Sequence, residues 1–139
     1  MAILAIDYGR KRIGLAVSAL SVACPLKSIT RAAMKADIAI IADTIADYSV
    51  SEIVIGLPVN MDGTESGMTA EVRAFAAAIS KKLKMRVEFA DEKLTSVEAQ
   101  SKVAKTNKSW KKRKGKIDSV AASLILKNYM EKKNEKSSG

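Results

Sequence analysis

The amino-terminal end constrains the fold of this chain more than any other segment. Residues 2–6 form a short apolar run that ends directly at an acid, Asp7. After a tight basic turn from Tyr8 to Arg12, apolar residues alternate with small ones from Ile13 to Val17, which is the period of a strand with one buried face. Gly9 suits the turn, so the pattern predicts two antiparallel strands joined as a hairpin.

Strand-like and helix-like segments alternate through the rest of the chain. β-branched or alternating residues predict three further strands, at residues 25–31, 52–56 and 86–90. Apolar residues at helical spacing predict helices at residues 37–48, 68–83 and 117–125, and a capping box at Thr95–Glu98 starts one more. The order β-β-β-α-β-α-β-α-α indicates an α/β domain with helices packed on a mixed sheet. We expect this single domain at residues 1–131 and a polar, frayed tail at residues 132–139.

Missing residue types exclude several classes of enzyme. The 139 residues include no histidine, which excludes Ser-His-Asp or Cys-His catalysis and zinc sites with histidine ligands. The single cysteine, Cys24, excludes an intrachain disulfide and a paired thiol redox centre. No apolar run approaches the roughly 20 residues of a membrane span, and the start of the chain has no signal-peptide pattern. We therefore expect a cytoplasmic protein with no membrane partner.

Positive charge is concentrated in one segment. The chain has 24 Lys and Arg residues against 15 Asp and Glu residues, a formal net charge of +9 at pH 7. Residues 102–116 hold eight of these bases and no acid, so the remainder is close to neutral. Trp110 lies in this cationic segment and could either stack on an unpaired base or pack in the core. A solvated loop has the same composition, but a local charge excess of this size also favours a polyanion such as nucleic acid.

Three carboxylates stand where predicted strands end or where a helix begins. Asp7 ends the first strand, Glu92 follows the last strand, and Asp118 lies at the start of the final helix. In open α/β sheets ligands collect beyond the carboxyl ends of the strands, so these acids could converge on one site. Without histidine, such a cluster would select hard cations, Mg²⁺ or Mn²⁺.

Each acid also has a purely structural interpretation. Asp7 could bond to amides of its own turn, and Asp118 could be an acid favoured by the helix dipole. Glu92 could be a solvated residue ahead of the next helix, with Asp91 the more important of the two. We favour Glu92 over Asp91 as the site residue, because the residues of a site must have a suitable geometry relative to one another. The loop after Asp7 would also suit phosphate binding as in actin-like ATPases, but those enzymes need two such lobes and this chain is too small.

Four blocks of sequence together resemble a known family. They are Asp7-Tyr-Gly-Arg-Lys-Arg-Ile-Gly14, Gly56-Leu-Pro58 with Asn60-Met-Asp-Gly-Thr64, Asp91-Glu-Lys-Leu-Thr95, and Lys114-Gly-Lys-Ile-Asp-Ser-Val-Ala-Ala122 with Ile125-Leu126. In this order they resemble the YqgF family, also called RuvX, of RNase H-like proteins described as pre-16S rRNA nucleases. The resemblance extends from residue 2 to about residue 130.

The resemblance implies an α/β, RNase H-like fold with a mixed five-stranded sheet and helices on both faces, related to the Holliday-junction resolvase RuvC. It implies that Asp7, Glu92 and Asp118 are the catalytic acids, which are the same three residues that we expect to hold Mg²⁺ or Mn²⁺. It further implies processing of the 5′ end of pre-16S rRNA during ribosome biogenesis in the bacterial cytoplasm. Lys93 stands where the family more often has arginine, which makes a phosphate contact less bidentate.

Basic residues near these acids are expected to hold the nucleic acid. They are Arg10, Lys11, Arg12, Lys93, Lys111, Lys112, Arg113, Lys114 and Lys116. Together with the acids they support metal-assisted hydrolysis of phosphodiester bonds, with an rRNA precursor as the first substrate. Two alternatives stay open: a resolvase-like endonuclease acting on branched DNA, which would need a dimer to cut two strands, and a non-catalytic nucleic-acid-binding or transcription factor. Monomer and homodimer are both compatible with the sequence.

Overall fold

The computed structural model describes residues 2–60, 62–92 and 114–138, and within the last range it describes side chains only from residue 119 to residue 134. Its strands are β1 (Ala2–Asp7), β2 (Arg12–Ala19), β3 (Val22–Pro25), β4 (Ile29–Thr30), β5 (Val50–Pro58) and β6 (Val87–Glu92). Its helices are α1 (Met34–Tyr48), α2 (Gly67–Leu83) and α3 (Lys114–Ser138). None of the described helices is long and apolar enough to cross a membrane.

The strands form one mixed sheet in the order β3-β2-β1-β5-β6, and the short β4 pairs with β2 as a sixth strand. β1 and β2 are antiparallel, with Asp7 opposite Gly14, as the predicted hairpin requires. β5 runs parallel to both β1 and β6. The carboxyl ends of β1, β5 and β6 therefore lie at the same edge of the sheet.

Side chains alternate across the sheet and bury a different cluster on each face. Large residues of β1, β2 and β5 pack with α1 and α2 on one face, including Leu4, Ile6, Ile13, Ile53, Ile55, Ile41, Val72, Phe75 and Ile79. Small residues allow α3 to lie close on the other face, where Ala5, Ala16 and Val54 contact Ala122, Ile125 and Leu126. Each fully buried large side chain is worth about 1.5–3 kcal/mol relative to exposure. Helices thus cover both faces, and the predicted α/β class with a mixed sheet is confirmed. The sheet has six strands in place of the predicted five, because β3 and β4 replace one predicted strand.

The third strand differs from its prediction. In place of one polar strand at residues 25–31, the chain forms β3 from Val22 to Pro25 and then β4. Leu20 and Ser21 both have left-handed φ values, 49° and 70°, and reverse the chain directly after β2. Such a two-residue turn matches the twist of a hairpin, but it normally contains Gly or Asn, so this sequence carried no signal for it.

The helices contain the predicted apolar stripes and extend beyond the predicted bounds. α1 begins at Met34 and α2 spans the predicted residues 68–83 with a capping box between Ser66 and Thr69. α3 continues to Ser138 through the residues expected to form a frayed tail, because Lys and Glu are good helix formers. The domain boundary at residue 131 stays a prediction. The helix predicted from Thr95 lies outside the described residues.

Candidate active site

Two of the predicted acids end parallel strands that flank β5. Asp7 is the last residue of β1, and Glu92 is the last residue of β6. The register places Ile6 beside Ile55 and Glu92 beside Pro58, so one strand separates the two acids. Neighbouring strands lie about 4.8 Å apart, so side chains from β1 and β6 must reach over β5 to meet.

The alternation of side chains along a strand decides on which face of the sheet each acid lies. Ala5 and Ala90 both pack in the cluster beneath α3, and Asp7 and Glu92 each lie two residues further along the same strand. Both acids are therefore on the α3 face. Asp91 belongs to the opposite face, where its charge adds to the hydrogen bonds that Arg73 on α2 donates to Glu65, and both raise the pKa of Arg73. Of the two adjacent acids, only Glu92 shares the face of Asp7.

Gly56 provides the space in which the Glu92 carboxylate lies. A Cβ atom at position 56 would come within 2.8 Å of Oε2 of Glu92 and 2.5 Å of Cδ1 of Ile125. The carboxylate thus lies over the backbone of β5, on the side of its strand that leads toward Asp7. The predicted strand at residues 52–56 ended at Gly56, whereas β5 continues to Pro58 and has this glycine inside it. A glycine inside a strand is itself a signal of close approach, and that signal was missed.

The third acid, Asp118, lies in the first part of α3. It precedes Ala122 by four residues and Ile125 by seven, so helical spacing puts position 118 on the stripe of α3 that packs against the sheet. One residue later, the buried hydroxyl of Ser119 donates to the carbonyl oxygen of Leu26, which anchors this end of the helix. The side chain of Asp118 is not among those described.

The predicted ligands are compatible with a hard divalent cation. Asp7 and Glu92 offer carboxylate oxygens on one face, and such oxygens are the ligands that Mg²⁺ and Mn²⁺ prefer. Among the described side chains, no group of three Asp, Glu or Cys residues is arranged to hold a metal ion. The predicted third ligand, the Asp118 carboxylate, lies outside that set of side chains.

Arg10 lies in the loop of residues 8–11 between β1 and β2, but it is engaged by an acid of α2. Nε of Arg10 donates to Oε2 of Glu71 at 3.0 Å, and Nη2 donates to the same oxygen. The Tyr8 hydroxyl donates to Oε1 of Glu71 at 3.4 Å. The hydrogen-bonded pair raises the pKa of Arg10 and lowers the pKa of Glu71. The ion pair directs Arg10 toward α2. No local sequence pattern predicts this pair, because its two residues lie 61 positions apart in the chain.

The other predicted bases are only partly described. Lys11 is exposed in the same loop, and Arg12 begins β2 opposite Thr30 of β4. Lys114 and Lys116 lie in the first turn of α3, although their side chains are not described. Lys93, Lys111, Lys112 and Arg113 lie outside the described residues, as does Trp110.

The loop after β5 borders the same edge of the sheet. The Val59 amide donates to the backbone oxygen of Glu92 at 3.1 Å, which ties the loop to the end of β6. Asn60 and Thr64 then close a turn, with the Asn60 amide 2.9 Å from the Thr64 carbonyl oxygen. The Thr64 hydroxyl and amide bond to Asp62 and lower its pKa. A folded polar turn therefore stands beside the acids.

Comparison with known proteins gives consistent matches over nearly the whole chain. The signature of the family described as "RuvX: Holliday junction resolvase" matches residues 1–132. Proteins named "Putative pre-16S rRNA nuclease" from Anaeromyxobacter dehalogenans strain 2CP-1 and from Heliobacterium modesticaldum are 38% and 40% identical to the chain over 135 residues. Each alignment covers 96% of this chain, with 98% of the first relative and 91% of the second.

Among solved structures, the chain is similar to Thermus thermophilus RuvC in complex with a Holliday junction substrate. The TM-score is 0.55 at 13% sequence identity, with 90% of this chain and 91% of that chain covered. A second structure of Thermus thermophilus RuvC gives a TM-score of 0.52 at 12% identity. At this identity the likeness concerns the fold alone, which is RNase H-like.

Proposed function

This chain belongs to the RuvX family and is a nuclease, and on that premise we propose that it uses Mg²⁺ or Mn²⁺ to hydrolyse RNA at the 5′ end of pre-16S rRNA. One observation carries the proposal: Asp7 and Glu92 share the α3 face at the carboxyl ends of β1 and β6, with the Glu92 carboxylate lying over Gly56. The names of the relatives support RNA as the substrate. Ribosome biogenesis in the cytoplasm is part of the same proposal.

The proposed catalytic residues are Asp7, Glu92 and Asp118, which would together hold the metal. When bound, the metal ion supplies an activated water and stabilises negative charge on the leaving oxygen. Asp7 and Glu92 hold their carboxylates at the ends of hydrogen-bonded strands, which limits their motion. Position 118 lies on the helix stripe that packs on the same face, so all three acids are supplied by rigid elements rather than by loops.

The substrate strand would be held by bases around these acids. Lys11 is exposed next to the end of β1, and Lys114 and Lys116 stand directly before Asp118 in the chain. Lys93 directly follows Glu92, and Arg12, Lys111, Lys112 and Arg113 complete the proposed set. Arg10 is paired with Glu71 and would join them only when released from that carboxylate. Phosphate contacts of this kind supply affinity without reading sequence, so cleavage position must depend on other features of the RNA.

Cleavage of branched DNA is the second candidate, because the family carries the description of a Holliday junction resolvase. Symmetric cutting of a four-way junction needs two active sites, and therefore a dimer. A single-stranded rRNA precursor needs only one site. A monomer in solution would therefore count against this second candidate.

The decisive experiment offers both substrates to one preparation. Purified wild-type protein is incubated with a pre-16S rRNA 5′ fragment, an unrelated single-stranded RNA and a four-way DNA junction, with Mg²⁺, Mn²⁺ or EDTA. We expect metal-dependent cleavage of the precursor that is lost in Asp7→Asn and kept in Asp47→Asn, an exposed acid of α1 with the same change.

Each other result has a definite meaning. Cleavage confined to the DNA junction would replace RNA by branched DNA as the substrate. Cleavage by both the wild type and Asp7→Asn would indicate a contaminant. Tight binding of RNA without cleavage under any metal would favour the non-catalytic factor and contradict the proposal.

A further inference from the structure

Arg31 holds the loop of residues 8–11 that follows Asp7. Nη1 of Arg31 donates to the carbonyl oxygen of Gly9 at 3.0 Å, and the Arg31 amide donates to the carbonyl oxygen of Lys11 at 2.9 Å. The guanidinium carbon also lies 4.9 Å from the centre of the Tyr8 ring. One residue therefore contacts three members of this loop.

Arg31 is in turn held by buried partners. The side chain of Asp37 has no exposed surface, and that of Arg31 is 15% exposed. Oδ2 of Asp37 accepts from Nε of Arg31 at 2.7 Å, and Oδ1 accepts from the Ala32 amide at 3.1 Å. The Phe75 ring centre lies 5.6 Å from the guanidinium. Since a buried carboxylate is costly without a partner, this pair has a fixed geometry.

The loop needs anchors because it lies beyond the strand ladder. Pairing between β1 and β2 ends at Asp7 and Gly14, and residues 8–11 continue past it. The loop is tightly turned, since a Cβ atom on Gly9 would collide with the carbonyl oxygen of Arg12. A polar loop of this kind keeps one shape only when its backbone groups are bonded to fixed partners.

We propose that Arg31 is a positioning residue of the nuclease site, which orients Asp7 and the exposed Lys11 by fixing the loop between them. The inference rests on the proposed function for the role of Asp7. Arg31 itself lies on the α1–α2 side, beside Asp37 and Phe75, so its proposed action on the site is indirect. A misplacement of about 1 Å at a reacting group can cost about 10²-fold in rate, so the anchor of this loop bears directly on turnover.

The test uses Arg31→Lys as its main variant. A lysine keeps the charge opposite Asp37, but its single ammonium cannot replace the guanidinium fork that bonds to Asp37 and Gly9 together. Arg31→Met would leave the Asp37 carboxylate buried without its partner and could unfold the protein. Arg86→Met is the control, because Arg86 pairs with Glu88 near the start of β6, far along the strand from the acids.

Two measurements on full-length protein are combined. Hydrogen exchange of a peptide covering residues 8–13 is expected to rise by about fivefold or more in Arg31→Lys, while exchange of residues 50–58 stays unchanged. With pre-16S rRNA and Mg²⁺, kcat per folded protein is expected to fall by about 10–100-fold, with KM within about twofold of wild type. Arg86→Met should leave both measurements unchanged.

Unchanged exchange in the loop, or an unchanged kcat per folded protein, would overturn the inference. An increase in exchange over the whole chain would show a general structural role instead of a local one and would overturn it as well. If the wild type cleaves no RNA, the proposed function fails and the catalytic part of the inference fails with it. The exchange comparison still decides whether Arg31 holds the loop.

Discussion

The carboxylate of Glu92 occupies space that exists because residue 56 is glycine: a Cβ atom there would lie 2.8 Å from Oε2 of Glu92. The same atom would lie 2.5 Å from Cδ1 of Ile125, so Gly56 also sets how closely α3 approaches the sheet. This relationship joins β5, β6 and α3 at one point of the proposed active site.

Gly56→Ala is expected to displace both Glu92 and Ile125. Overpacking of this kind costs about 1–3 kcal/mol of folding free energy. Because Glu92 is a proposed metal ligand, nuclease activity should fall by about 10²-fold, more than the loss of folded protein explains. Urea unfolding and cleavage assays check the two effects. Gly67→Ala is the matched control, because a Cβ atom at Gly67 meets nothing within 4 Å. Equal activities of the two variants would contradict the role of Gly56.

Glu92→Gln and Asp91→Asn should have opposite outcomes although the residues are adjacent. Glu92 shares the α3 face with Asp7, whereas Asp91 faces α2 and Arg73. We expect Glu92→Gln to lose at least about 10²-fold in activity. Mutation of residues that only hydrogen-bond to a metal ligand already lowers metal affinity or activity by about 10–100-fold. Asp91→Asn should stay within about twofold of wild type. Loss of activity in Asp91→Asn alone would assign the site to the other face.

Binding of Mg²⁺ should stabilise the folded protein. Clustered carboxylates repel each other when no cation is bound, and a ligand that binds only the folded state stabilises it by mass action. At a Mg²⁺ concentration of 100 times Kd the gain is about 2.7 kcal/mol. Thermal melts with and without Mg²⁺ should show a rise in Tm for the wild type and a smaller one for Asp7→Asn. Equal shifts in the two proteins would exclude Asp7 as a ligand.

Release of Arg10 from Glu71 should increase affinity for RNA. In Glu71→Gln the guanidinium loses its carboxylate partner and can contact a phosphate. One added contact to single-stranded RNA steepens the salt dependence of binding by about 0.7 in a plot of log K against log salt. Binding titrations at several salt concentrations measure this slope. The gain should vanish in the double variant Glu71→Gln, Arg10→Ala, and Glu65→Gln, which frees Arg73 instead, is the control. A gain that persists without Arg10 would refute the explanation.

Glu52 should contribute to stability in a pH-dependent way. Its carboxylate accepts hydrogen bonds from the Tyr129 hydroxyl and from Nζ of Lys133 at 2.5 Å, which joins β5 to α3. Partial burial raises the pKa of Glu52, but the bonds from Lys133 and Tyr129 outweigh burial and the pKa is lowered.

A carboxyl group with a lowered folded pKa stabilises the protein above its unfolded pKa of about 4.3, and the stabilisation is lost as pH falls through the folded value. Urea unfolding at pH values from 7 to 3 should therefore show a shallower acid loss in Glu52→Gln than in the wild type. Glu131→Gln, an exposed acid on α3, is the control. An identical loss of unfolding free energy at acid pH in the wild type and Glu52→Gln would disprove this contribution.

Local patterns in the sequence were sufficient to predict most of the fold. The hairpin around Gly9, the buried strand before Pro58 and the apolar stripe of α2 all depend on residues close in the chain, and all three were confirmed. The turn at Leu20 and Ser21 was not predicted, because its left-handed conformation occurs without the residues that usually favour it. The four sequence blocks were also enough to recognise the family.

The sequence by itself determined most of the order of strands and helices, the acids at the strand ends and the family, since periodicity and motif spacing are properties of the local chain. Only the tertiary structure decided that Glu92 shares a face with Asp7, since a shift of one residue in register would have reversed every side chain of β6. Only tertiary packing brought Glu71 into hydrogen-bonding contact with Arg10, and Arg31 with the carbonyl oxygen of Gly9. Such contacts join residues far apart in the chain, and no local periodicity records them.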